Sequence, residues 1–191
     1  EVLDMTRNAF AVADEYRMTV FILSDAYIGQ MMEQVTIGGP ILHGSRKDWA
    51  VYGDAASRSN LISSIYMNTR LQHDHNELLQ QTYRKAAADL VEFEALDVDD
   101  ADVVLLAYGI CARICLSTMR LLRSMGVKAG LLRPKTLWPF PSEVVASLAQ
   151  QGKTLAVVEL SSGMMADDVE LAAKGKGRVV RYGTTEGLTP R

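Results

Sequence analysis

Hydrophobic positions in the second half of the chain alternate between two patterns. Short continuous apolar runs, DVVLLAY at 102–108, VKAGLL at 127–132, TLAVVE at 154–159 and RVVRY at 178–182, are separated by stretches of helical period at 111–125, 142–151 and 164–173. Strands alternating with helices imply parallel pairing, and continuous rather than half-polar strands imply helices on both faces of the sheet. The pattern predicts a doubly wound, mainly parallel α/β sheet. Gly126 and Gly152 read as helix ends and Ser142 as a helix cap, in agreement with it.

The first half is less regular. Leu3, Thr6, Phe10 and Ala13 share one helical face over 3–17, and MTVFIL at 18–23 reads as a strand ended by Ser24 and Asp25, with Gly29 allowing a turn at its carboxyl end. No cap or strand introduces the helix, so the chain is expected to start inside a larger α/β domain. Residues 36–60, with Gly38, Gly39, Pro40, Gly44 and Gly53, follow neither period and read as a linker pinned by Trp49 and Tyr52. Asp74 and Glu77 match a capping box. Leu78, Leu79, Thr82, Ala86 and Leu90 continue from it as the stripe of a helix over 75–91.

Composition narrows the function classes. A chain of 191 residues that is 48% hydrophobic can build one complete domain and a fragment of a second. A net charge of −3 gives no basic footprint for nucleic acid or anionic membrane. There is no apolar run of membrane-spanning length and no basic, then apolar, leader in EVLDMTRNAF, so a cytoplasmic protein is expected. Cys111 and Cys115, four apart on a predicted helix, are too few for a structural zinc site or a disulfide scaffold and read as core residues. His73 and His75 flank Asp74 at a spacing that points them to different sides of a helix, which argues against a metal there.

Candidate chemistry lies where the predicted strands end. In GLLRPKTLWPFP, Pro134, Pro139 and Pro141 stiffen a connector that carries Trp138 and Phe140, either as a docking surface or as packing under the domain's own edge. Tyr108, Gly109 and Arg113 lie at a strand-to-helix turn, where helix amides and Arg113 could hold an anion, although the three spaced glycines of a dinucleotide fingerprint are missing. Arg113 could equally bind a partner's carboxylate. Glu159 could act in acid/base chemistry, yet nothing marks a second group. Met164 and Met165 read as core or interface filling. Asp167, Asp168 and Glu170 are explained by a helix start, where carboxylates favour the dipole. No nucleophile and base pair emerges.

Several motifs in order carry a resemblance. WAVYGDAASR, NLISSIYMN, DHNELLQQTYRK, ADVVLLAYGICARI, GLLRPKTLWPFP, AVVELSSGMMADDV and YGTTEGLTP together resemble the alpha-type subunit of 2-oxoacid:ferredoxin oxidoreductases. The chain looks most like the 2-ketoisovalerate (3-methyl-2-oxobutanoate) type, as a C-terminal fragment. The resemblance implies a subunit of a thiamine diphosphate enzyme that oxidatively decarboxylates a 2-oxoacid, passes electrons through iron-sulfur clusters to ferredoxin and makes an acyl-CoA.

It further implies a division of the chain. Residues 1–35 would be the end of a pyrimidine-binding domain, 36–73 an interdomain linker and 74–191 a transketolase C-terminal-like domain. This fragment would be inactive alone, with no catalytic residue and no metal, and would serve domain and subunit packing. Thiamine diphosphate, magnesium and the clusters would belong to the whole complex, with CoA as cosubstrate. A thiamine diphosphate-binding beta subunit, a gamma-type subunit, an iron-sulfur subunit and ferredoxin would be its partners, in a dimer of the complex.

Residue by residue, Tyr27, Gly29, Gln30 and Met31 match a loop near the cofactor cavity and subunit interface. Arg113, Arg133, Trp138 and Phe140 match second-domain motifs at interface or cavity-shaping positions. SSGMM at 161–165 stands where relatives read NxGQM, and Glu186-Gly187 where they carry paired glycines. Both departures bear on substrate range. Two other readings stay open: an autonomous small-anion-binding module using Gly109 and Arg113, and the second domain of a lipoamide-linked 2-oxoacid dehydrogenase or transketolase, against which the WPFP connector argues.

Overall fold

Alternation of buried side chains along the strands defines the core. A computed structural model describes residues 1–38, 46–63 and 65–186; Gly39, Pro40, Gly44 and Gly187, singled out above, lie outside the described residues. The chain divides into two compact units, residues 1–31 with 84–191, and residues 32–83.

The first unit is built on a five-stranded sheet, β1 (Phe93–Leu96), β2 (Val103–Leu106), β3 (Ala129–Pro134), β4 (Thr154–Glu159) and β5 (Arg178–Gly183). Spatial order is β1-β3-β2-β4-β5. β3, β2, β4 and β5 run parallel, with Val103 level with both Ala129 and Thr154, and β1 pairs antiparallel with β3 at the edge. The predicted α/β architecture is the one observed.

Period two sends successive residues to opposite faces. Val104, Leu106, Leu132, Leu155 and Val157 pack under α5 (Ser142–Gln150) and α6 (Met164–Ala173), which contribute Val145, Leu148, Met165, Ala166 and Val169. Leu105 and Leu131 face the other way, against Cys111, Cys115 and Met119 of α4 (Gly109–Ser124). Helices therefore cover both faces.

Two cations, Lys153 buried and Arg123 partly exposed, tie down the turn that leads into β2. Lys153, 7% exposed, donates its Nζ to the carbonyls of Val98, Asp99 and Ala101 at 2.8, 2.9 and 2.8 Å. Arg123 reaches from α4 to the Ala129 and Asp97 carbonyls, both at 2.7 Å, and to the Asp100 carboxylate at 2.6 Å. Gly130 lets this turn cross closely, because a Cβ there would sit 2.8 Å from the Asp97 carbonyl oxygen and 3.0 Å from the Val98 Cα. Sequence patterning gave no sign of either cation's role.

Before the sheet, the Tyr16 hydroxyl at the end of α1 (Val2–Tyr16) donates at 2.8 Å to Oδ2 of Asp89, the last residue of α3 (Thr69–Asp89) and part of the same unit. A five-residue helix, α2 (Ala26–Gln30), follows. In the second unit a 3₁₀ turn spans Ala56–Asn60, and the Tyr52 hydroxyl accepts the Lys47 amide at 2.6 Å while its ring faces Arg46.

Four expectations are corrected. MTVFIL is not a strand: residues 18–23 have no regular structure and Phe21 is 80% exposed, because no strand among the described residues pairs with it. Gly29 lies inside α2 rather than at a turn. α3 starts at Thr69, where the Asn68 side chain accepts the amides of Arg70 and Leu71, so Asp74 and Glu77 are within the helix and form no cap. Ser142 is the first residue of α5 and makes no capping bond; Pro141 precedes it. The sequence reading also lacked β1, a short edge strand.

Candidate functional site

Chain order fixes where an open α/β sheet forms a crevice. α4 leads from β2 to β3 on one side, and α5 then crosses back to β4 on the other, so the loops after β2 and β4 diverge at the carboxyl end of the sheet. Ligands and partners of such sheets meet this switch point.

After β2 the chain turns through Gly109, whose φ of +57° is one that side-chain-bearing residues avoid. Asp25 fills the space that the glycine leaves. Its Oδ1 accepts the Ile28 amide at 2.8 Å, capping α2, and its Oδ2 accepts the Ile110 amide at 2.8 Å, in the first turn of α4. A carboxylate there satisfies two otherwise unpaired amides and favours the α4 dipole. The turn where helix amides could have held an external anion thus holds a carboxylate of the chain itself.

After β4, Glu159 is 2% exposed. It accepts the Ser161 hydroxyl at 2.6 Å and the amides of Met165 and Ala166 at 2.9 and 3.1 Å. The N-cap of α6 is Gly163, which has no side chain to offer, so the strand-end glutamate supplies the cap from a distance. This accounts for its burial without acid/base chemistry. Beside it a cleft of about 150 Å³ is lined by Glu159, Ser161, Ser162, Gly163, Arg181 and Gly183. Arg181 is committed to Asp167 and Glu170, which hold its guanidinium charged well above its usual range and hold the Glu170 carboxyl below its own.

The other singled-out residues separate by environment. Tyr27 (39% exposed), Gly29, Gln30 and Met31 (48%) sit on or next to α2 at the exposed surface. Arg113 Nη1 lies 3.9 Å from Met31 Sδ, which brings the second-domain arginine to this loop. Arg133 pairs with Glu1 and with Glu94. In the proline-rich connector, Phe140 packs against the core under α5 whereas Trp138 is 58% exposed. Tyr108, between the two loops, has its hydroxyl pKa raised by burial and by the nearby Glu159, Cys111 and Asp25.

A metal or cluster does not fit these residues. Cys111 and Cys115 are buried against the sheet on one helix, and burial pushes the Cys115 thiol up to about 12, away from a thiolate ligand. Among the described residues no group of three or more His, Cys, Asp or Glu is placed to hold a metal. A diphosphate meets the same obstacle at α4 and α6, where Asp25 and Glu159 take amides of the first turns. Nor is any described helix long and apolar enough to cross a membrane.

Asp25 was read from sequence only as a strand stop. An aspartate three residues before Ile28 is a recognisable capping pattern, but the bond to Ile110, 85 residues on, leaves no local trace.

Known proteins agree with this architecture. Residues 101–190 match the family model of pyruvate:ferredoxin oxidoreductase core domain II. The ketoisovalerate oxidoreductase subunit VorB of Methanothermobacter marburgensis is 41% identical over 174 residues, covering 91% of this chain and 49% of that protein. The 2-oxoglutarate synthase subunit KorA of the same organism is 29% identical over 206 residues, 94% of this chain and 55% of that protein. The chain thus spans about half the length of the curated relatives it matches. A solved 2-oxoglutarate:ferredoxin oxidoreductase from Magnetococcus marinus shares the fold, with a TM-score of 0.50 and 20% identity over 63% of this chain and 21% of that one. On these grounds the chain is a homologue of 2-oxoacid:ferredoxin oxidoreductase subunits, and its residues 101–190 match the core domain II of pyruvate:ferredoxin oxidoreductase.

Proposed function

We propose that this chain is part of a subunit of a 2-oxoacid:ferredoxin oxidoreductase acting on a branched-chain 2-oxoacid, with 2-ketoisovalerate as the leading substrate. The observation that carries the reading is the 41% identity to a ketoisovalerate oxidoreductase subunit across 91% of the chain, against 29% for the 2-oxoglutarate type. The reaction is oxidative decarboxylation to an acyl-CoA with electrons passed to ferredoxin, in the cytoplasm.

Within that enzyme the chain's own residues organise rather than react. Residues 1–35 end a pyrimidine-binding domain, 36–73 link it onward, and 74–191 form a transketolase C-terminal-like domain that packs subunits together. Thiamine diphosphate, which supplies the carbanion chemistry of decarboxylation, is held by a partner beta subunit with magnesium and a cluster, and gamma-type and iron-sulfur subunits complete the assembly. The buried cysteines and the occupied amides of α4 and α6 support that division of labour. Tyr27, Gly29, Gln30 and Met31 stand near the cofactor cavity. Arg113, Arg133 and Trp138 lie at subunit contacts, and Phe140 supports the connector from below.

Affinity capture with the full-length protein from native lysate tests the reading. Co-purification of thiamine diphosphate, iron and partner subunits, with CoA-dependent viologen reduction by 2-ketoisovalerate, is the expected result. Recovery of a monomer without cofactor would overturn it and favour the small-anion module, for which the Asp25-occupied turn at Gly109 is a poor start.

A further inference from the structure

α2 offers little apolar burial of its own. It is five residues long, none of them buried, and the preceding segment 18–23 has no regular structure. So short a helix is not stable by itself. Polar contacts join it to the domain: Asp25 Oδ1 closes its first turn, and Asp25 Oδ2 ties that turn to the Ile110 amide of the 16-residue α4. Each carboxylate oxygen has one amide. Asparagine could serve one of the two amides and would present its NH₂ to the other, and alanine could serve neither. Gly109 completes the arrangement, because a Cβ there would lie 2.5 Å from Oδ2 and displace the carboxylate.

We infer that Asp25 is a positioning residue: it fastens the loop bearing Tyr27, Gly29, Gln30 and Met31 to the amino end of α4, and so sets where those side chains stand in the working enzyme. The inference rests on the proposed placement of this loop beside the cofactor cavity. Met31 Sδ near Arg113 Nη1 is a second, weaker contact between the same two elements. Asp25 touches no reacting group and acts through the loop.

The test uses the intact complex carrying the full-length chain, with Asp25→Ala, Asp25→Asn, Gly109→Ala and the double variant Asp25→Ala/Gly109→Ala. Amide hydrogen exchange is followed at residues 26–31 and 109–112 and at the strands β2, β3 and β4, beside steady-state turnover of 2-ketoisovalerate. For Asp25→Ala, exchange should rise about tenfold or more at both stretches, with the strands within about twofold, and kcat should fall about tenfold. Asp25→Asn should recover part of both. Because Asp25→Ala removes the atom that a Cβ at Gly109 would strike, the double variant should lose less than the product of the single losses.

Unchanged exchange at 26–31, or a rise spread evenly over the strands, would overturn the inference, as would fully multiplicative losses. Selective exchange with turnover within about twofold of the parent would also overturn the positioning role, while subunit capture would show separately whether the family reading stands. If Asp25→Ala fails to assemble, the same exchange and turnover criteria apply to Asp25→Asn.

Discussion

Gly109 faces Asp25 so closely that the glycine's missing side chain is the space the carboxylate occupies: a Cβ would stand 2.5 Å from Oδ2. Replacing Gly109 by alanine should therefore cost twice over. The left-handed backbone costs about 1–2 kcal/mol and the displaced charged hydrogen bond about 1.5–3 kcal/mol, so unfolding free energy should drop by roughly 3 kcal/mol. Chemical denaturation of the purified chain measures it, and a loss below about 1 kcal/mol would show that the carboxylate is free to move aside.

Lys153 gives a prediction at the other end of the sheet. Lys153→Met preserves the apolar stem but leaves the carbonyls of Val98, Asp99 and Ala101 without their donor. A loss of roughly 3 kcal/mol is expected, from buried acceptors left unpaired. Limited proteolysis should open first within residues 97–101, and cleavage elsewhere would contradict the role assigned to the ammonium.

Burial separates two leucines of similar chemistry. Leu132 is fully buried and Leu171 is 77% exposed. Leu132→Ala should cost about 3 kcal/mol and Leu171→Ala less than about 0.5 kcal/mol. Equal losses would mean that the sheet and α6 are not packed as described.

The Tyr16 hydroxyl titrates far from its usual range. Its hydrogen bond to Asp89, then burial and the charges of Asp89 and Glu15, raise its pKa from 10 to about 12. The folded state thus holds the proton more tightly than the unfolded chain, so the stabilisation is complete below pH 10 and is lost as pH rises towards about 12. Tyr16→Phe should remove that part of the pH dependence, as denaturation midpoints collected from pH 9 upward would show. An unaltered profile would place the alkaline loss elsewhere.

Trp138 and Phe140 should behave differently although they share a connector. Phe140→Ala, which removes a side chain packed on the core, should lower the stability of the isolated chain by about 2 kcal/mol or more. Trp138→Ala should leave that stability within about 0.5 kcal/mol and weaken subunit assembly, read by size-exclusion chromatography of the complex. Unimpaired assembly would remove the docking role.

Local pattern made the parallel strands legible, because burial on both faces writes itself as an unbroken apolar run, VVLL or TLAVVE. It failed where partners decide. MTVFIL has the composition of a strand but lies exposed with no pairing strand among the described residues, while FEAL carries Glu94 and is too short to announce itself, yet pairs residue for residue with β3. The start of α3 was misplaced because Asp74 and Glu77 imitate a capping box and the true cap, Asn68, works through its own side chain without one. At the site, Glu159 was legible as an unusual strand-end carboxylate, but its task depends on Gly163 lacking a side chain several residues later. Asp25 and Ile110 are joined only by the fold.

The two ends of the sheet are finished to different degrees. Lys153 and Arg123 close the end where β2 and β4 begin, meeting every partner from within the chain. The opposite end leaves Tyr27, Met31, Trp138 and Met164 in contact with water. One sheet thus carries two unlike termini, so a change at Lys153 or Arg123 is felt within the fold, whereas a change at Trp138 or Met164 is felt first by whatever meets that surface.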